Sequence, residues 1–296
     1  MGRLDQRVIV VTGAGRGIGA SVAKLLAGCG ANVVVNDLGV EVDGSRASEG
    51  PALATVDAIT AAGGSAVASF ADVSDFDDAK RIVDTAIDSF GRLDVLINAA
   101  GILRDRMIVN MTPEEWEPVI RVHLTGTFNT SRHAAAYWRE HRGEGEYRLI
   151  NFTSTAGLFG APGQPNYAAA KLGIVGLTLS CAHALHRYGV TSNAVAPAAA
   201  TRMAGTISDE RLAELGIDLE ADLSADAIAY PVSYLASTES SWLNGRVLGC
   251  HGRRICLYTN HVVEREVVSA QPWDVDTVFR EMPAAFNPAL PSIGTF

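Results

Sequence analysis

Residues 12–19, TGAGRGIG, follow the apolar run Val8-Ile9-Val10-Val11 and open an alanine-rich segment. A strand that turns through glycines straight into a helix must return by a crossover, so its next strand lies parallel to it. The same alternation continues along the chain. Strands are expected at residues 7–12, 32–36, 65–71, 94–97, 148–153, 192–196 and 246–250. Helices are expected near residues 18–27, 51–62, 76–90, 113–139 and 167–188. Regular β-α alternation gives an α/β fold, a doubly wound parallel sheet of Rossmann type. With 296 residues, 48% of them hydrophobic, the chain can bury one large core. No internal repeat or Pro/Ser-rich linker divides it. A single domain over residues 1–251 is therefore expected, with 252–296 as an extension packed on the body or on a partner subunit. Residues 38–50 read as a long glycine- and charge-containing loop. Residues 198–224 read as a flap over the substrate.

A net charge of −9 without long runs of one sign speaks against nucleic-acid binding. Cys29, Cys181, Cys250 and Cys256 have no CxxC spacing and read as reduced thiols. The first apolar run is too short for a signal peptide, and no stretch reads as long enough to span a membrane. The last residues, Gly294-Thr295-Phe296, are not the peroxisomal tripeptide address, so a cytoplasmic location is expected.

Gly13, Gly17 and Gly19 let backbone approach a pyrophosphate. The N-terminus of the following helix, at Ile18, offers free N–H groups and partial positive charge. Asp37 ends the second strand, where a carboxylate accepts from ribose hydroxyls and repels a 2′-phosphate, favouring NAD. Arg16 either meets a phosphate or is a solvated loop arginine. Asp72 and Val73 follow the third strand beside the adenine. Asn98, Ala99 and Gly101 of NAAG are placed against the adenine ribose. Pro197 and Thr201, after the sixth strand, complete the cofactor set together with Tyr167 and Lys171, the lysine bonding the nicotinamide ribose.

Ser154, Tyr167 and Lys171 carry the chemistry. A free tyrosine titrates near ~10 and is a poor base at neutral pH. Lys171, four residues on, shares its helix face and favours the phenolate. Ser154 ends the fifth strand and can bond the substrate oxygen as negative charge develops there. His123, in RVHLTGTFN, either relays protons or is a satisfied core histidine. Leu158, Phe159, Pro162 and Met203 are placed in the substrate pocket. Arg104 and Arg106 either meet phosphates of the substrate or are solvated. The sets Cys181/His183/His186 and Cys250/His251/Cys256 lack zinc spacing, so no metal is expected. Trp116, Phe128, Tyr137 and Trp138 read as core or subunit contact.

TGAGRGIG, NAAG and Ser154…Tyr167-Ala-Ala-Ala-Lys171 resemble the short-chain dehydrogenase/reductases over residues 7–250. VVVNDLG (33–39), GILRDRM (101–107), RVHLTGTF (121–128), PGQPNYAAAKLGIVGL (162–177) and APAAATRM (196–203) are similar to one subgroup. These are the (3R)-hydroxyacyl-CoA dehydrogenase domains of the type 2 peroxisomal multifunctional enzymes, also called 17β-hydroxysteroid dehydrogenase type 4. The resemblance implies NAD-linked oxidation of a 3-hydroxyacyl thioester to the 3-ketoacyl form, by a homodimer or homotetramer. Most of the family has asparagine where His123 stands, whereas the subgroup shows histidine. Pro197-Ala198 and Cys250-His251-Gly252 depart from the family's usual Pro-Gly and Asp-Gly-Gly. No hydratase or sterol-carrier segment follows, so a stand-alone version is expected. The rival readings are a hydroxysteroid dehydrogenase, a ketoacyl-ACP reductase, which Asp37 disfavours, and an NAD-binding sensor or scaffold without turnover.

Overall fold

The computed structural model describes residues 2–45, 47–198 and 224–286. Contacts divide the chain into two compact units, Met1–Tyr258 and Thr259–Phe296. In the first unit, β1 (Val8–Thr12), β2 (Asn32–Asn36), β3 (Ser65–Ser69), β4 (Val95–Asn98), β5 (Tyr147–Phe152), β6 (Val190–Ala198), β7 (Val247–His251) and β8 (Arg254–Tyr258) form one sheet. Its order is β3-β2-β1-β4-β5-β6-β7-β8. All pairings are parallel except β7–β8. The doubly wound architecture expected from the alternation is present. The sheet runs one strand past the boundary expected at residue 251, because β8 turns back on β7 as an antiparallel edge.

The helices of this unit are α1 (Gly17–Gly28), α2 (Gly50–Ala61), α3 (Phe76–Phe90), α4 (Pro113–Ile120), α5 (Gly126–Glu140), α6 (Thr155–Phe159), α7 (Pro165–Leu185) and α8 (Ala225–Ala236). Alternate residues of β1 feed two cores. Ile9 and Val11 pack with Val22 and Leu26 of α1, Ile59 of α2 and Val232 of α8. Val8 and Val10 pack with Ile82 of α3 and Trp138 of α5. Both faces are covered at the centre of the sheet, which is why β1, β2 and β4 read as unbroken apolar runs rather than alternating ones.

The helix expected over residues 113–139 is one rod with a π turn at Arg121–Thr125, between α4 and α5. A turn widened in this way often marks a functional position, and His123 lies in it. Asp75 starts α3 by accepting from the N–H groups of Asp77 and Asp78, and Gly91 ends it at φ 79°. Helix α8 was not legible to the alternation, since Pro231 interrupts its pattern. The segment Pro165–Tyr188 is long and apolar enough to cross a membrane by length and composition. That corrects the expectation that no stretch reaches this length. In the fold it packs along β6, α6 and α4. The proposed flap lies, apart from its two ends, outside the described residues. In the second unit, α9 (Val275–Phe286) is started by Asp274, which accepts from the N–H and hydroxyl of Thr277.

Candidate active site

The carboxyl ends of β1, β2, β4, β5 and β6 open onto one long cleft. Its lining runs from Asp37 and Asp72, past Gly13 and residues 16–19, to His123, Tyr167, Lys171 and Pro197. The cleft lies where strand order reverses between β1 and β4, the expected ligand crevice of such a sheet.

The cofactor end is built by close approach. Gly13 adopts φ +67°, and a Cβ there would stand 2.7 Å from Ala100 Cα. The Thr12 hydroxyl accepts from the N–H groups of Ala99 and Ala100, at 3.2 and 3.3 Å, tying the glycine loop to the loop after β4. No side chain caps α1, so its first-turn N–H groups face the cleft ready for phosphate. The Asp37 carboxylate is held at both oxygens, by Gly15 N at 2.7 Å and Gly39 N at 2.6 Å. Asp72 accepts from Ser74 N at 2.8 Å, and the Val73 carbonyl accepts from Asn129 at 3.0 Å. Arg16 donates to the Val40 carbonyl at 3.1 Å rather than standing solvated. An open helix N-terminus, a loop that admits no Cβ and a fixed carboxylate together fit a dinucleotide.

Asn98 is the exception in this set. Its side chain bonds Ser131, Asn151 and Thr130 at 3.2, 3.0 and 2.7 Å, and is buried. It therefore pins β4 to β5 and α5 beneath the cleft, and Ala99, Ala100 and Gly101 line the wall in its place. Thr201 and Met203 lie outside the described residues.

At the catalytic end, Lys171 is buried. Its Nζ donates to the Phe152 carbonyl at 2.7 Å, and its own carbonyl accepts from Thr153 Oγ1 at 2.7 Å. Burial pushes its pKa down to about 7. Nζ lies 5.5 Å from the centre of the Tyr167 ring. Burial pushes the Tyr167 phenol up to about 12, while the Ser154 hydroxyl works in the opposite direction. Lowering of the phenol by Lys171, expected from their spacing, is absent in this state. Desolvation dominates, and the ammonium is bonded to a backbone carbonyl. Ser154 also starts α6 by accepting from Ala156 N at 3.2 Å.

His123 packs edge-on to Tyr167, ring centres 5.1 Å apart. Its Nε2 faces both N and O of Ile102, at 3.1 and 2.8 Å, and Nδ1 has no protein partner. Burial first, then the charge on Lys171, pushes its pKa down to about 3. The ring is thus neutral at working pH and can pass a proton only as a hydrogen-bonding group. This has a stability consequence. The unfolded histidine binds a proton below ~6.5 and the folded one only near 3. Folded stability should therefore fall as pH drops from ~6.5 towards 3, by about 1.4 kcal/mol per unit from this group alone. Urea unfolding of wild type and His123→Asn between those pH values is expected to show a shallower slope in the variant. Equal slopes would contradict the burial argument.

Several positioning residues carried no signal in the sequence. Asn166 is buried and donates to the carbonyls of Arg104 and Glu115, at 2.9 and 2.8 Å. It thereby fixes the helix turn that presents Tyr167. A Cβ on Gly157 would stand 2.8 Å from Leu172 N, so only glycine lets α6 pack on α7 beside Lys171. Gly101 is similarly closed, because a Cβ there would overlap the His123 ring.

The substrate residues divide. Leu158 turns inward to pack with Val175, Ala194, Ala196 and Val247, and does not line the cleft. Phe159 meets Tyr258 edge-on at 5.8 Å, and Pro162 is exposed. Arg106 pairs with Glu115 at 2.9 Å. Among the described residues, no group of three or more His, Cys, Asp or Glu is placed to hold a metal.

The short chain dehydrogenase family matches residues 7–212. Hydroxyacyl-CoA dehydrogenase ChsB1 of Mycobacterium tuberculosis is 41% identical over 281 residues, covering 92% of this chain and 86% of that one. The peroxisomal hydratase-dehydrogenase-epimerase of Neurospora crassa is 46% identical over 69% of this chain, which spans 22% of that longer protein. A crystal structure of a short chain dehydrogenase from Mycobacterium avium superposes with a TM-score of 0.87 at 44% identity, covering 98% of both chains. The chain therefore belongs to the short-chain dehydrogenases, oxidoreductases that act on CH–OH groups with a nicotinamide cofactor.

Proposed function

We propose that this protein oxidises a (3R)-3-hydroxyacyl-CoA to the 3-ketoacyl-CoA with NAD. The observation that carries this reading is one cleft with Asp37 fixed at one end and Tyr167 and Lys171 lining the other, where the Ser154 hydroxyl bonds the phenol. A bound nicotinamide would supply the hydride acceptor and, as a cation, would favour the phenolate form of Tyr167. Tyr167 takes the hydroxyl proton. Ser154 holds the alcohol oxygen as its charge develops. Lys171 places positive charge near the phenol and can orient the cofactor's ribose. Neutral His123 packs edge-on against the phenol ring with its buried Nδ1 left without a protein partner, so it is the neighbouring group that can assist proton exchange. The acyl-CoA assignment is supported by the name of the mycobacterial relative and by the subgroup motifs.

Asp37 carries the preference for NAD. Replacing it with serine removes a negative charge from the place a 2′-phosphate would occupy. At a separation of about 4 Å this repulsion is worth a few kcal/mol. Asp37→Ser is therefore expected to shift the ratio of kcat/KM for NAD+ over NADP+ by about tenfold or more towards NADP+. Steady-state assays with both cofactors check it, and an unchanged ratio would contradict the role of Asp37.

The reading as a whole is tested by supplying purified protein with (3R)- and (3S)-3-hydroxyacyl-CoA and with a 17β-hydroxysteroid, each with NAD+. Turnover of the 3R thioester is expected to dominate. Turnover confined to the steroid would replace the substrate class while leaving the chemistry in place.

A further inference from the structure

The loop after β2 has a shape that the oxidoreductase reading does not use. Strand β1 lies between β2 and β4, and the glycine loop leaves β1. Residues 38–45 leave β2, and residues 99–104 leave β4. These two segments are bonded to each other. Leu103 N donates to the Val42 carbonyl at 2.8 Å, and Arg104 Nε donates to the Asp43 carbonyl at 2.9 Å. A segment that leaves β2 and is fastened to one leaving β4 must cross the mouth of β1, above the glycine loop. Val40, Glu41, Val42 and Gly44 accordingly line the same cleft as Gly13 and Lys171. The crossing segment is a compact turn. Glu41 N donates to the Ser45 carbonyl at 2.7 Å and Gly44 N to the Glu41 carbonyl at 2.9 Å.

Arg104 is the fastening. Besides the Asp43 carbonyl, its guanidinium reaches the Glu114 carbonyl of α4 at 2.7 Å. Its own carbonyl accepts from Asn166, next to Tyr167. One residue thus clamps the crossing segment on one side and the catalytic helix on the other. Arg16 holds the near side of the segment through Val40. These bonds account for the Arg104 guanidinium, which therefore braces the protein itself.

We propose that residues 38–45 are a strap closed across the cofactor cleft, and that Arg104 is the positioning residue whose clamp limits how fast the dinucleotide leaves. The proposal rests on a nicotinamide cofactor lying in this cleft, and is independent of the acyl-CoA assignment. Hydrogen bonds from a charged donor are stronger than neutral ones, and a glutamine cannot span both carbonyls. Removing the clamp should leave the glycine loop intact and free the strap to open.

The test is stopped-flow displacement of NADH, followed by its fluorescence, together with amide hydrogen exchange of cofactor-free protein. Wild type, Arg104→Gln, Arg104→Lys and Arg106→Gln are compared. Arg104→Gln is expected to raise the NADH release rate by about tenfold or more. It should also speed exchange in peptides covering residues 38–45, with β1 and β2 unchanged. Arg104→Lys should fall between, and Arg106→Gln should release NADH as wild type does. A release rate in Arg104→Gln within about twofold of wild type would overturn the proposal. So would faster exchange spread across the whole first unit, which would mark Arg104 as a general structural brace. Failure of wild type to bind NADH would instead remove the cofactor reading beneath it, while the exchange result still judges the clamp.

Discussion

Tyr167→Phe is expected to lower kcat by ~10³-fold or more while leaving NADH affinity within about threefold of wild type, since positioned proton transfer contributes ~10²–10⁴. The phenol oxygen is the group in the cleft that can exchange a proton with the alcohol while Ser154 holds the same oxygen. Removing it keeps the ring, and with it the edge-on packing against His123. The backbone groups and the Asp37 carboxylate at the other end of the cleft are untouched. The loss should fall on kcat rather than on the Kd for cofactor, because the missing interaction belongs to the transition state. Rapid-mixing turnover and a fluorescence titration with NADH separate the two. A variant with near wild-type kcat would move the proton-transfer role to another group.

Lys171→Met is expected to do two opposite things. Turnover should fall by ~10²-fold or more, since the positive charge that would favour the phenolate as the reaction forms it, and the donor that would orient the cofactor's ribose, are both lost. Stability should rise at neutral pH. The folded lysine titrates near 7 and the unfolded one near ~10.5, so below pH 7 the folded state carries the full cost of a buried charge. That cost fades as pH rises from 7 to ~10.5. Loss of the bond to the Phe152 carbonyl offsets about 1 kcal/mol of the gain. The net is a stabilisation of about 2 kcal/mol or more near pH 7, smaller near pH 10. Denaturant unfolding at both pH values measures it. A variant less stable at pH 7 would show that Lys171 is held comfortably rather than against a desolvation cost.

This opposition is typical of a site whose function depends on an unfavourably buried group, and it bears on what the sequence could reveal. The glycine loop and the Tyr/Lys spacing were legible because each is local. One strand, one turn and one helix place Gly13, Gly17 and Gly19, and a single helix face carries Tyr167 and Lys171. Asp37 was legible because it ends a strand and its partners lie in the adjoining loops. Asn98 also ends a strand, but its side chain turns towards Thr130 and Ser131 of α5, a contact made 32 and 33 residues away. Strand position alone does not say which face such a residue serves. The sequence places Leu158 in the pocket, but α6 is too short to show a periodic signal and turns it inward. Strand β8 was hidden because four of its five residues are exposed, so its apolar members looked like a tail. Arg104, Asn166 and Gly157 act on backbone from distant segments. Their roles appear only once α4, α6 and α7 are packed together.

The central claim is that an alcohol carbon gives its hydride to a nicotinamide cofactor in this cleft. The most direct measurement is a single turnover of wild type with (3R)-3-hydroxyacyl-CoA carrying deuterium at C3, in the presence of NAD+. The account predicts a slower burst of NADH than with the unlabelled substrate, and deuterium recovered in the reduced cofactor. Formation of 3-ketoacyl-CoA with no label in the cofactor would contradict it, as would no reaction with this thioester or with a 17β-hydroxysteroid from a protein shown to bind NAD+.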